Sequence, residues 1–148
     1  MRSQVIESAD GSLRIILNAS QSQRTQSSRF LTEVFGSGVQ HLAFATSDIF
    51  ATVQRLIKNG VELLEVPENY YDDLEAKLDL PPEQLDALRR NNVLYDRDGE
   101  GEYFQVYTST FEQRFFFEIV ERRGYWGYGA VNAPVRLAAQ ARLITDQG

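Results

Sequence analysis

The spacing of apolar positions changes along the chain, and each change marks an element. Leu13-Arg14-Ile15-Ile16-Leu17, after the turn pair Asp10-Gly11, predicts one short strand that stands alone, its pairing partners missing. Residues 18–28 are polar and rich in Ser and Gln, as in a connector, and residues 28–35 suit a short helix ended by Gly36-Ser37-Gly38. From Gly38 the pattern is regular. Residues 39–45 alternate with the period of a strand, and Thr46-Ser47-Asp48 supplies a helix N-cap. Residues 48–59 place Ile49, Val53, Leu56 and Ile57 on one helical face before Asn59-Gly60 closes the helix. Residues 61–66 predict a second strand, and residues 70–78 and 82–90 two short helices. Three strands follow at 93–95, 103–108 and 115–121, with a hairpin turn over 96–101. A last helix over 132–144 has Pro134 near its start and a stripe of Val135, Leu137, Ala138 and Ala141.

From Gly38 onward the order is βαβ, two inserted helices, then three strands. That order predicts an α+β unit with one curved, mostly antiparallel sheet. Such a sheet cannot shield both of its faces, so the last helix is expected across its mouth.

Composition narrows the function. The chain has 148 residues, 43% hydrophobic and 24% charged, enough for one globular domain with a core. Its net charge of -6 disfavours nucleic acid and anionic membrane surfaces. There is no cysteine, which excludes disulfides and thiolate metal sites. No apolar run follows Met1 and none approaches the roughly 20 residues of a membrane span, so the expected setting is cytoplasmic, with a small molecule or a protein as partner.

Three residues stand out chemically. His41 is the only histidine, on a strand face shared with Val39, Ala43 and Ala45. Glu118 lies within Phe115-Phe116-Phe117-Glu118-Ile119-Val120, where a buried carboxylate must find a cation, a metal or a proton. Gln105, in Tyr103-Phe104-Gln105-Val106-Tyr107-Thr108, is polar in an apolar strand and is able to orient a ligand. Ordinary readings remain open at this point: a satisfied core histidine, Glu118 paired with Arg14, Arg114 or Arg136, and Gln105 on an edge strand facing water. Tyr125-Trp126-Gly127-Tyr128-Gly129 fits a lid or a plain loop, and Asp72 and Asp73 suit a solvated first helical turn.

Several motifs, in order, carry a resemblance. Gly36-Ser37-Gly38-Val39-Gln40-His41-Leu42-Ala43-Phe44-Ala45-Thr46-Ser47-Asp48-Ile49 resembles the opening of the last module of 4-hydroxyphenylpyruvate dioxygenases. Tyr70-Tyr71, Leu94-Tyr95-Asp96-Arg97-Asp98, Phe104-Gln105-Val106-Tyr107-Thr108, Phe116-Phe117-Glu118-Ile119-Val120-Glu121-Arg122 and Gly127-Tyr128-Gly129 follow in that family's order and spacing. The resemblance covers roughly residues 10–132. It implies the vicinal oxygen chelate fold, in which paired βαβββ modules curl into an open barrel. Residues 1–35 would be the last strand of a preceding module plus a connector, and residues 36–148 the C-terminal module with inserted short helices and a C-terminal helix.

The same resemblance implies Fe(II), or another divalent metal, held by two histidines and a glutamate. His41 would be the second histidine and Glu118 the carboxylate, and the first histidine would come from the preceding module. The family's reaction is oxidative decarboxylation and ring hydroxylation of a 2-oxo acid with O2, which such a facial triad supports by leaving positions open. By motif position Gln105 would be catalytic and substrate-binding, Gln26 and Asn18 substrate-side, and Phe116 a pocket wall. The pattern departs at Asn132-Ala133, where the family has an aromatic residue after the asparagine. The ending Arg136-Leu137-Ala138-Ala139-Gln140 resembles instead the dioxygenase-like domain fused behind a 3-dehydroshikimate dehydratase barrel.

Three functions follow from these observations. The first is a 2-oxo acid dioxygenase, incomplete and inactive as this chain alone. The second is an accessory domain of a bifunctional dehydratase. The third is another metalloenzyme of the superfamily. The uncovered face of a half-barrel predicts pairing with a second copy or with an upstream module.

Overall fold

The computed structural model describes residues 2–19, 26–112, 114–127 and 129–145. The chain divides into two compact units, Met1–Gln40 and His41–Gly148.

In the first unit the expected lone strand has a partner. β1 (Arg2–Glu7) pairs antiparallel with β2 (Arg14–Ala19), from Arg2↔Ala19 to Glu7↔Arg14. Gln4-Val5-Ile6 offers too short an apolar run to read as a strand alone. The pairing sets it against Ile15, Ile16 and Leu17. Asp10 organises the reversal: its Oδ1 accepts from Ser8 Oγ at 2.6 Å and from Ser12 Oγ at 2.8 Å, while Gly11 takes φ +70°. Those hydrogen bonds from Ser8 and Ser12 lower the Asp10 pKa to about 2. The helix α1 (Gln26–Glu33) begins and ends two residues earlier than the apolar pattern suggests.

The second unit is built on a four-stranded mixed sheet of order β3-β6-β5-β4. Its strands are β3 (His41–Ala45), β4 (Leu94–Asp98), β5 (Gly101–Tyr107) and β6 (Phe116–Arg123). β3 and β6 run parallel and the other neighbours antiparallel. This is the α+β arrangement expected. The β4–β5 reversal is tighter than 96–101: Asp98 pairs with Gly101, and Gly99 takes φ +59°.

After β3 the chain enters α2 (Ile49–Lys58) through the predicted cap, Asp48 Oδ1 accepting from Ala51 N at 2.9 Å. Ile49 N, at the first turn, donates to Glu121 Oε2 at 2.8 Å, so a buried carboxylate of β6 meets the positive end of the helix. Ile49 and Val53 are buried, but Ile57, expected on the same face, is half exposed. Residues 61–66 do not form the expected strand. They make one bridge, Leu63↔Thr108, flanked by Leu64 N to Tyr107 O and Ser109 N to Glu62 O. β4 pairs with β5 only as far as Leu94↔Gln105, and this segment takes up the backbone groups beyond that point.

Helices α3 (Glu68–Lys77) and α4 (Pro82–Arg90) contribute Tyr71, Leu74, Leu85 and Leu88 to the core beside Val93, Phe104 and Val106. Asp72 and Asp73 are exposed, as expected; Asp72 also ion-pairs with Arg89 at 3.1 Å, and Arg89 holds Glu68 at 3.0 Å, joining α4 to α3. A 3-10 turn (Ala130–Asn132) leads into α5 (Ala133–Thr145). The inward face of α5 is displaced from the expected stripe: Ala139 and Gln140 are buried, Val135 and Arg136 half-buried, and Ala138 and Ala141 exposed. The apolar count alone hides this, because polar Arg136 and Gln140 face in. Among the described residues no helix is long and apolar enough to cross a membrane.

Burial is legible in the tyrosines. It raises Tyr95 and Tyr125 to about 12 and Tyr70, Tyr71, Tyr103 and Tyr107 further. A pKa raised by folding stabilises the fold below the unfolded value of about 10 and loses that contribution as pH climbs through the folded value. Titrated at 295 nm, the native chain should therefore gain no more than one tyrosinate near pH 10. The other six should appear only as the fold gives way; a seven-tyrosine step near pH 10 in the folded chain would contradict this packing.

Candidate metal centre

Sheet register brings the candidate ligands together. In the parallel β3–β6 ladder His41 lies opposite Phe116 and Ala43 opposite Glu118; in the β5–β6 ladder Tyr107 lies opposite Glu118 and Gln105 opposite Val120. Cross-strand partners project to the same side, so His41, Phe116, Glu118, Gln105 and Tyr107 share one face. Small Ala43 sits beside Glu118 and leaves it free to lean toward His41.

His41 Nε2 lies 3.4 Å from Glu118 Oε2, with Glu118 buried and the imidazole about a third exposed. The ring of Phe116 stacks on the imidazole at 4.9 Å and 6° between planes, fixing its orientation. The other carboxylate oxygen, Glu118 Oε1, accepts from Gln105 Nε2 at 2.9 Å. Gln105 Nε2 also donates to the Tyr107 hydroxyl at 2.9 Å, and Tyr107 in turn hydrogen-bonds Glu118. Burial pushes the Glu118 carboxyl up, but hydrogen bonds from His41, Gln105 and Tyr107, with the attraction of His41, hold it below the ordinary carboxylate value. The carboxylate therefore stays ionised in a place where, unpartnered, it would cost several kcal/mol, on the order expected for a buried charge.

The orientation of Gln105 is itself dictated. Its Oε1 accepts from Asn132 Nδ2 at 2.8 Å, so its amino group must face Glu118 and Tyr107. Asn132 is buried, and its Oδ1 accepts from the Tyr70 hydroxyl at 3.2 Å. Tyr70 is anchored by Tyr95 N at 2.8 Å. Gly129, at φ +61°, lets the chain pass against this amide: a Cβ there would sit 2.5 Å from Gln105 Oε1 and 2.5 Å from Tyr103 Cε1.

Several expectations change. Gln105 is not on an edge: β5 lies between β6 and β4, and the side chain is buried. Glu118 does not pair with an arginine. Arg14 pairs with Glu7 at 2.9 Å, Arg114 is exposed, and Arg136 lies over the rings of Phe116 and Tyr107. Asn18 is on β2 in the first unit, opposite Ser3, and the Gln26 side chain lies outside the described residues. In the 125–129 loop, Tyr125 is buried, stacked on Tyr103 at 4.9 Å and hydrogen-bonded to Asp96, while Trp126 is exposed. Tyr128 lies outside the described residues. Tyr107, Asn132 and Tyr70 were not singled out as site residues. The available signals were the same-face spacing of Tyr107 from Gln105 and a polar residue before the last helix.

Among the described residues no group of three or more His, Cys, Asp or Glu gathers to hold an ion. The two donors present nevertheless suit one. Ligands about 2.1 Å from a divalent ion and at right angles are about 3 Å apart, close to the His41–Glu118 separation. An imidazole nitrogen with a carboxylate oxygen is the donor set that Zn, Fe and similar ions accept.

The model of the Glyoxalase/Bleomycin resistance protein/Dioxygenase superfamily matches residues 1–99. The chain belongs to that superfamily. Its members often bind divalent metals. Over 142 residues, 95% of the chain, it is 54% identical to the 3-dehydroshikimate dehydratase of Pseudomonas aeruginosa, and it spans 22% of that enzyme. It is 37% identical over 124 residues, 82% of the chain, to the 4-hydroxyphenylpyruvate dioxygenase of the same organism, spanning 35% of it. A solved xylose isomerase-like TIM barrel/4-hydroxyphenylpyruvate dioxygenase fusion protein superposes with TM-score 0.82 and 52% identity, over 95% of this chain and 23% of that one. The superfamily domain, its α+β fold and its kinship to both enzyme groups are thus shown, the dehydratases at the higher identity.

Gly129→Ala should destabilise the fold by about 2 kcal/mol, from the strained φ and the collision with Gln105. Urea unfolding measures it, and an unchanged midpoint would mean that the loop does not press on the amide.

Proposed function

We propose that this chain is a divalent-metal-binding, dioxygenase-type module of a cytoplasmic two-part 3-dehydroshikimate dehydratase, with His41 and Glu118 as two of its three protein ligands. The single observation that carries the reading is the His41–Glu118 pair, held ready on one sheet face with Gln105 donating to the other carboxylate oxygen of Glu118. The relation to the dehydratases and the fused arrangement support the setting. Ala133, standing where the resemblance expects an aromatic wall, argues against an aromatic pyruvate as substrate.

When bound, Fe(II) or a similar ion would supply Lewis acidity and, for iron, O2 activation. The chain's own residues do the positioning. Phe116 holds the imidazole plane, Gln105 and Tyr107 keep Glu118 ionised and turned toward His41, and Asn132 keeps the Gln105 amino group pointed at the carboxylate. The partly exposed imidazole leaves the pair accessible to a third ligand, which we assign to an upstream module or a second copy, since His41 is the only histidine of this chain.

A second reading is a 2-oxo acid dioxygenase resembling 4-hydroxyphenylpyruvate dioxygenase. It is favoured by Gln105 and Phe116 lying on the same face as His41 and Glu118. Substrate contacts by Gln105 and Phe116 belong to this reading.

An anaerobic Co(II) absorbance titration of the chain beside His41→Ala and Glu118→Ala tests the ligand pair. We expect binding in the parent and at least about a tenfold loss in each variant. Equal binding by all three proteins would remove His41 and Glu118 from the site. With Fe(II), O2 and 4-hydroxyphenylpyruvate supplied to the parent full-length protein, no homogentisate is expected; its formation would favour the second reading.

A further inference from the structure

The inward face of α5 carries an arginine with no acidic partner among the described residues. Arg136 is half-buried, its guanidinium 5.3 Å from the Phe116 ring centre and 5.6 Å from that of Tyr107. Among the described residues it forms no ion pair. Within that set its side chain hydrogen-bonds from Nη1 to Gln140 Oε1 at 2.8 Å. The amide nitrogen of that same Gln140 is buried and has no acceptor. A buried donor without a partner is destabilising, and a guanidinium brought partly out of water gains most from an anion. Two neighbouring side chains therefore present unused donors and positive charge at one spot, with no acceptor among the described residues to meet them.

This spot adjoins the sheet face that carries the ligand pair. The imidazole of His41 and the guanidinium of Arg136 rest against the same Phe116 ring, at 4.9 Å and 5.3 Å between centres. Glu118, the acid on that face, is already engaged by His41, Gln105 and Tyr107 and does not neutralise Arg136.

We infer that Arg136 and Gln140 form a carboxylate-binding subsite, so that the ligand of this module carries an anionic group in addition to the group that reaches His41 and Glu118. The planar fork of Arg136 takes the two oxygens of a carboxylate, and the Gln140 amide donates to one of them. A small dicarboxylate or a carboxylated ring meets the requirement; a neutral phenol or a simple monocarboxylate does not. The inference rests on the reading of His41 and Glu118 as the ligand pair only in saying which ligand the subsite serves.

The subsite is testable without metal. The full chain, 15N-labelled and prepared in EDTA, is titrated with glutarate and with its neutral analogue glutaramide while the Arg136 Nε–H and Gln140 side-chain amide signals are followed. Glutarate should shift both signals saturably and glutaramide neither. Arg136→Met should weaken glutarate about tenfold or more, the usual effect of losing a charge-assisted pair. Arg136→Lys, which keeps a cation over the rings, should fall between and guards against a folding artefact. No shift with glutarate, or equal shifts with both probes, overturns the inference. In a second arm, Co(II)-loaded protein should prefer 2-oxoglutarate to 2-oxobutanoate, and Arg136→Met should erase the preference without changing Co(II) uptake. Failure of the parent chain to take up Co(II) would count against the ligand-pair reading, while the glutarate result would still decide the subsite.

Discussion

A carboxylate in the middle of an apolar sheet is the constraint around which the second unit is arranged. Glu118 sits on a strand that is itself buried through most of its length, and an ionised group there is tolerable only with donors close at hand. The sheet solves this with Tyr107 directly opposite in the β5–β6 ladder, and with His41 and Gln105 reaching diagonally from β3 and β5. None of these contacts depends on a long loop. Their spacing is that of backbone hydrogen-bonded strands, fixed by the ladder itself.

The satisfaction then has to be made directional. An amide is ambiguous until something decides which end is nitrogen, and here Asn132 decides it by donating to Gln105 Oε1. Asn132 is in turn held by Tyr70, which is anchored on the backbone of Tyr95. A helix, a 3-10 turn and three strands thereby share one hydrogen-bonded chain that ends at the carboxylate. Gly129 allows the turn to come close enough for Asn132 to act. Buried polar chains of this kind favour a single arrangement, since a flip of any member strands its neighbours.

Much of this was legible in the sequence, for reasons that differ from residue to residue. His41 and Glu118 showed themselves because their types conflict with their surroundings, and the period-2 pattern set their faces. The strand and helix order from Gly38 followed from caps and spacing, Asp48 included. β1 was not legible, because a strand with one short apolar pair depends on its partner for definition. The segment at 61–66 looked like a strand but had only the free end of β5 to pair with. The α5 face was misread because its inward positions include Arg136 and Gln140, which a count of apolar residues discards. Asn132 and Tyr70 were invisible as site members, since they act through side chains brought together from far apart in the chain.

β6 is hemmed in on both faces. Glu118 serves the site on one, and on the other Glu121 accepts from the first turn of α2. A strand tied to chemistry on one side and to helix anchorage on the other has little freedom to drift, and neither face can be redesigned without disturbing its opposite. α5 meets the same site through Arg136, whose guanidinium lies over the rings of Phe116 and Tyr107. Descent and laboratory selection alike should then find new ligand preferences by rewriting the terminal helix, leaving the strands as inherited scaffold: a division of labour in which evolvability resides at the chain's periphery and conservatism at its sheet.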